Sequence, residues 1–209
     1  MDSIPNPYAT ISAVVEGHGE VDSVPIVVRR IGLALPIPVA VGTPRPVRVP
    51  RSKLVQDEQL ERAVRLASLR VAEPGGVLIV IDADHDCPAE LGPELLSRAT
   101  AALPGTRVGV VIAKSEFEAW FLAAAESLAG TRELPEDLSA PDNPEGIRGA
   151  KGWLRQRMPT GRKYSETVDQ PSLASRFDLA AARAADSFDK MWREVAALVV
   201  GATAADHAD

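Results

Sequence analysis

The chain has 209 residues, 45% of them hydrophobic and 25% charged, with a net charge of −6. That length suits one domain with a real core and a small extension, since domains run at about 100–200 residues. The single cysteine, Cys87, excludes an internal disulfide framework and a cysteine-based zinc site, and the acidic balance argues against indiscriminate nucleic-acid binding, which draws its affinity from neutralising phosphates.

In chain order, Thr10 to Val15 is a short β-rich run ending at Glu16-Gly17, which predicts a buried strand leading into a turn. Glu20 to Gly32 follows as a helix with Val24, Val27, Val28 and Ile31 on one face. The proline-rich segment Pro36 to Pro50 has room for at most one short edge strand, because proline cannot donate to a ladder. Lys53 to Ala72 reads as one helix striped by Leu60, Val64, Ala67 and Val71. After Pro74-Gly75-Gly76 comes Val77-Leu78-Ile79-Val80-Ile81, an unbroken apolar run of the kind that suits a parallel strand covered on both faces. Glu90 to Leu103 is predicted helical, Arg107 to Ala113 a second buried strand, and Glu116 to Ala129 a helix.

Strand and helix thus alternate over residues 8–129, the signature of an α/β core with a mostly parallel sheet flanked by helices. From 130 to 200 the pattern predicts a helical extension packing on that core, with helices Gly146–Met158, Ser172–Ala185 and Phe188–Val200. Residues 201–209 lack apolar pattern and read as a disordered tail. The N-terminus lacks the basic and apolar regions of a signal peptide, and no apolar run approaches the roughly 20 residues that cross a bilayer. A cytoplasmic location without membrane association is the expectation.

Two acid-free basic stretches interrupt the acidic average. Gly42 to Gln56 carries Arg45, Arg48, Arg51 and Lys53; Gly146 to Ser165 carries Arg148, Lys151, Arg155, Arg157, Arg162 and Lys163. Either is readable as a solvated face or as a surface that contacts phosphates.

The strongest local feature is Asp82-Ala83-Asp84-His85-Asp86, directly after the apolar run. Ligand sites of open α/β sheets gather at the carboxyl ends of strands, and hard divalent cations such as Mg²⁺ prefer carboxylate oxygens. The plain alternative is a polar turn, because aspartate favours turns and helix N-caps. The second feature, Glu16-Gly17-His18-Gly19-Glu20, also stands at a strand end; its glycines permit a tight turn and close approach to a ligand. Glu20 alone is readable as a favourable acid in a first helical turn. His85 is either a ligand or an exposed turn residue, His18 an ordinary loop residue, and Trp120, Phe121, Trp153 and Trp192 are core by default.

An N-terminal strand ending in Glu-Gly, followed by a later strand ending in Asp-x-Asp, resembles the Toprim domain. That domain occurs in type IA and type II topoisomerases, bacterial primases, OLD-family nucleases and a small ribosomal-RNA-maturing nuclease. Beyond the core, the chain is similar to a short bacterial Toprim-like family catalogued as domain of unknown function 4276. Glu16-Gly17-x-x-Glu20, Asp82-Ala83-Asp84, Glu118-Ala119-Trp120-Phe121-Leu122, Pro144-Glu145, Lys151, Tyr164 and Ser187-Phe188 match its pattern. Glu166 departs from it, standing where lysine is expected, with Lys163 adjacent.

The resemblance implies a metal-dependent nuclease using one or two Mg²⁺ or Mn²⁺ ions. Glu16 would be general acid/base or ligand, Asp82 and Asp84 would hold the first ion, and Glu20, Asp86 and Glu118 are candidate ligands of a second. Two ions about 4 Å apart stabilise both the attacking and leaving oxygens of a displacement, and Lys151 would neutralise charge developing on the phosphoryl oxygens. It also implies an ATPase partner encoded nearby and a link to phage defence. DNA or RNA as substrate, and assembly as a homo-oligomer, stay open. The alternatives are a non-catalytic Toprim-like subunit of an ATPase complex and, ranked lower, a haloacid-dehalogenase-type phosphatase, from which Asp86 and the mid-domain position of the motif depart.

Overall fold

The computed structural model describes residues 8–54, 56 and 58–204. Its framework is a parallel sheet with helices on both faces. β1 (Tyr8–Val15) leads into α1 (Glu20–Ala34), and the chain returns along the same edge of β1 as two short strands, β2 (Ala40–Gly42) and β3 (Val47–Arg48). The expectation of at most one edge strand is corrected here. Pro44 and Pro46 lie between the two pieces and cannot donate to a ladder, so the edge pairs on either side of them.

Lys53 to Ala72 is also not one helix. A single turn, α2 (Arg51–Leu54), precedes α3 (Gln59–Ser68), and Glu58 between them has a left-handed backbone with φ 64°. The two pieces have separate anchors: Arg51 reaches back to the loop after the next strand, whereas Leu60, Ala63, Val64 and Ala67 bury against the sheet. β4 (Gly75–Asp82), α4 (Pro88–Ala102) and β5 (Val108–Ala113) complete the sheet, whose order is β2-β1-β4-β5 with every pairing parallel.

Alternation along the strands divides the core into two layers. Ile11, Ala13, Val15, Leu78, Val80 and Val111 face one way, with α1 and the later helices; Val14, Val77, Ile79, Ile81, Val110 and Ile112 face the other, with α3 and α4. All eight residues of β4 are buried. Each valine, leucine or isoleucine so covered contributes about 1.5–3 kcal/mol relative to exposure.

The predicted helix Glu116 to Ala129 is shorter, α5 (Ala119–Ala123), followed by a 3₁₀ turn at Ala125–Leu128. Glu116, Phe117 and Glu118 instead form turns in which their carbonyls accept from the N–H groups three residues on, and the Phe117 N–H donates to Asp82. Further on come α6 (Ala150–Arg157), α7 (Asp169–Ala174), α8 (Leu179–Ala182) and α9 (Asp186–Ala204). The expected helix Ser172–Ala185 breaks because the Asp178 carboxylate accepts from the N–H groups of Ala180 and Ala181 at 2.7 and 3.0 Å, starting a new helix. Phe188, Met191, Val195 and Leu198 of α9 join the core layer beside α1. Helix α9 runs to Ala204, into the segment 201–209 expected as a disordered tail; 205–209 lie outside the described residues. Among the described residues no helix is long and apolar enough to cross a membrane.

Candidate metal centre

The centre forms where β1 and β4 end. After Val15 the chain turns through Glu16 to Gly19, and the first residue of α1, Glu20, folds its carboxylate back over that turn. Glu20 Oε2 accepts from the backbone N–H groups of Glu16 and Gly17, each at 3.1 Å. A Cβ on Gly17 would stand 2.8 Å from Glu20 Oε1, so the fold-back needs glycine there. A Cβ on Gly19 would stand 2.5 Å from both the Glu166 carbonyl and the Gln170 side-chain oxygen. The second glycine therefore admits the 164–170 segment to the site.

Asp82, the last residue of β4, accepts the Phe117 N–H on Oδ1 at 2.7 Å, which leaves Oδ2 for the centre. Glu16, Glu20 and Asp82 each bring a carboxylate oxygen to within 4.8 Å of the others. Lys151 enters from α6, where its N–H is anchored by Glu116 Oε2 at 2.9 Å. Its ammonium lies 4.0 Å from Asp82 Oδ2, 3.8 Å from Glu118 Oε2 and 3.3 Å from Glu166 Oε1. Glu118 is fully buried. Its Oε1 accepts from the Tyr164 hydroxyl at 3.0 Å and the Gln170 amide at 2.9 Å, while Oε2 has no hydrogen-bond partner; nor has the buried Oε2 of Glu16.

Four largely buried carboxylates thus gather at the centre, with the Lys151 ammonium against Asp82 and Glu118, and their proton affinities follow. Burial, then repulsion from Glu20, pushes Glu16 up to about 7. Burial also raises Glu20, and it raises Asp82 well above the usual carboxylate range, helped by Glu20, Glu118 and Glu16. Burial pushes Glu118 up to about 7 against the pull of Lys151. Burial pulls Lys151 down, but Glu118, Asp82, Glu166 and Glu116 more than offset it and hold the ammonium charged. The donor set suits a hard divalent cation: it is all carboxylate oxygen, two of the oxygens are buried and unpartnered, and the negative charge exceeds the positive.

The other predicted ligands stand apart. Asp84, with a left-handed φ of 50°, is exposed and faces Arg51 Nε at 3.3 Å. Asp86 also pairs with Arg51, whose guanidinium further donates to the carbonyls of Asp82 and Ala83. Arg51 therefore staples the Asp82–Asp86 loop. Of the remaining cations in the two basic stretches, Arg157 stacks 3.3 Å over the Trp153 ring and Arg162 holds buried Asp169 at 2.6 Å. Arg48 donates to the Glu16 carbonyl at 3.3 Å and is exposed. Arg45, Lys53, Arg148, Arg155 and Lys163 are exposed and, among the described residues, form no ion pair. His18 and His85 are exposed, while Trp120 and Phe121 are fully buried.

A family model described as Domain of unknown function (DUF4276) matches residues 15–196. The chain belongs to that family. No curated protein and no solved structure matches it. The DUF4276 match spans the whole centre, from Glu16 to Gln170. Within it are two residues not foreseen at the centre: Gln170, which holds Glu118, and Glu166, which meets Lys151 directly. The signal for Gln170 is slight, a polar residue followed by proline at a helix start. The Tyr164 hydroxyl, donating to Glu118, gives that residue a place in the site.

Proposed function

We propose that this DUF4276 chain is a Toprim-type metal-dependent nuclease that hydrolyses phosphodiester bonds with Mg²⁺ or Mn²⁺. The observation that carries the reading is the convergence of Glu16, Glu20 and Asp82 within 4.8 Å at the carboxyl edge of a parallel sheet. Such edges are where α/β folds bind ligands.

Glu16, Glu20 and Asp82 would hold the ion, with Glu118 across Lys151 available to a second; Asp84 reaches the ion only if it releases Arg51. When bound, a divalent cation supplies the positive charge that polarises a phosphoryl oxygen. The protein's own groups do the rest. Lys151, kept charged by its carboxylate neighbours, meets the charge that develops on the phosphoryl oxygens. Where Glu20 and Asp82 alone hold the ion, Glu16 would be free to exchange a proton with the attacking or leaving oxygen. Tyr164 and Gln170 grip one oxygen of Glu118 and so aim the other at the centre. The exposed cations Arg48, Arg148, Arg155 and Lys163 supply charge for the nucleic-acid backbone, and an ATPase is the partner that the Toprim resemblance implies.

The test is cleavage of end-labelled DNA and RNA panels in Mn²⁺ or Mg²⁺, with and without any ATPase found encoded beside the gene. Asp82→Asn keeps size and shape but removes a charge the metal requires. Cleavage should fall steeply while binding survives. Full cleavage by Asp82→Asn in the assembled system would contradict the reading.

A further inference from the structure

Beside the acid centre lies a second concavity, a cleft of about 500 Å³ lined by the 83–86 loop, Lys114, Ser115 and Glu116, and the segment from Glu145 to Gly149. It shares its walls with the centre: Ala83 and Asp84 follow Asp82 directly, and the Glu116 on its floor anchors the backbone of Lys151. Ligand pockets run at about 300–1,000 Å³, so the cleft can take a nucleotide-sized group.

Its charged groups differ in how they are engaged. Every carboxylate in the lining is committed to a donor of the protein. Asp84 and Asp86 are held by Arg51, and Glu116 accepts the Lys151 N–H. Glu145 accepts the N–H groups of Asp186 and Ser187 at 3.2 and 3.0 Å. The two cations in the lining, Lys114 and Arg148, are exposed and have no carboxylate partner among the described residues. The carboxylates keep their charge but are turned to donors of the protein, so Lys114 and Arg148 are the charged groups in the lining free to meet an anion. Lys114 lies outside both basic stretches, so the sequence pattern gave it no part in binding.

We propose that this cleft seats the phosphodiester chain adjoining the bond to be cut, with Lys114 and Arg148 as its phosphate contacts. The proposal rests on the nuclease reading for its ligand, and it sets the direction in which the substrate leaves the centre: past β5 and the 145–149 segment.

The test measures binding in EDTA, where no cleavage occurs, so a failed cleavage assay leaves it readable. The probes are fluorescein-labelled single-stranded DNA and RNA of one sequence, titrated over a range of salt. Lys114→Ala/Arg148→Ala should weaken both to a similar degree, because phosphate contacts carry no 2′-hydroxyl information, and should reduce the salt slope by about 1.4, at about 0.7 per contact on a single strand. Its melting temperature should match the wild type's, since neither side chain is bonded in the fold. Position is read separately from Cys87, the only cysteine, which is exposed beside Asp86 and Pro88 of the cleft wall. A benzophenone attached there should crosslink to either oligonucleotide, and the double substitution should abolish the crosslink. An unchanged salt slope, binding without a Cys87 crosslink, or no binding by the wild type would each overturn the proposal.

Discussion

Two buried acidic sites in this protein solve the same problem in opposite ways. Asp169 is fully buried, yet it sits between the guanidinium groups of Arg132 at 2.8 Å and Arg162 at 2.6 Å and accepts the Ser165 N–H at 2.7 Å. Burial alone would push its proton affinity up; its donors bring it below the usual carboxylate range. At the candidate metal centre Glu16, Glu20, Asp82 and Glu118 have Lys151 among them, with Arg51 also acting on Glu16, and all four are pushed up. Burial does not by itself make a carboxylate a ligand. The count and quality of donors decides, and one site is complete while the other lacks positive charge.

The largest expected effect comes from breaking the complete site. Asp169→Ala leaves two guanidinium groups facing each other and frees the 162–170 segment, and it should cost about 3 kcal/mol, the scale for removing one partner of a buried pair. Denaturant unfolding with an unchanged m-value reads this directly. Loss of under about 0.5 kcal/mol, the level of an ordinary surface change, would dissolve the contrast between the sites. The 162–170 segment carries Tyr164, Glu166 and Gln170 to the centre, so the same variant should also weaken Mn²⁺ binding.

The incomplete site should show itself in a dependence on pH. Glu16 and Glu118 bind protons more tightly folded than unfolded, with values moved from 4.5 to about 7. Between those limits the folded state carries more protons, so metal-free protein should lose stability as pH rises through the window. Each kcal/mol corresponds to about 2–4 °C in melting temperature for a chain of this size. Saturating Mn²⁺ should flatten the dependence. A metal-free melting temperature that climbs from pH 5 to pH 8 would place the balance of charge elsewhere.

A smaller effect follows from relieving the repulsion. In EDTA at pH 8, Asp82→Asn should be as stable as wild type or more stable by about 1 kcal/mol, since an amide oxygen still accepts the Phe117 N–H. Marked destabilisation would mean that Asp82 serves the fold. The smallest is Arg157→Ala, which removes a stack on Trp153 and should cost about 0.5–1 kcal/mol, leaving the affinity for oligonucleotides as it was.

The sequence is most readable where a residue's surroundings are its own neighbours. The unbroken run from Val77 to Ile81 states both the strand and its burial on two faces, and Glu16 and Asp82 follow from standing at strand ends. What long-range geometry decides is not readable. Nothing local says that Arg51, 31 residues before Asp82, turns inward to staple its loop, or that Asp84 thereby faces a guanidinium. The basic stretch reads as surface, yet Arg51, Arg157 and Arg162 are spent on internal partners. Glu20 reads as a first-turn acid, and the fold-back over Gly17 makes it part of the centre as well. The helix break at Asp178 was in reach, an N-cap ahead of Leu179, but the alanines around it suggest continuity.

The carboxylate cluster should bind a divalent cation, and calorimetric titration of the EDTA-stripped protein with Mn²⁺ at pH 7 reads this directly. Run in two buffers of different ionisation enthalpy, it should show saturable binding with release of protons from Glu16 and Glu118, and Asp82→Asn should abolish the binding. Saturable binding that survives Asp82→Asn unchanged, or none by the wild type, would contradict the account.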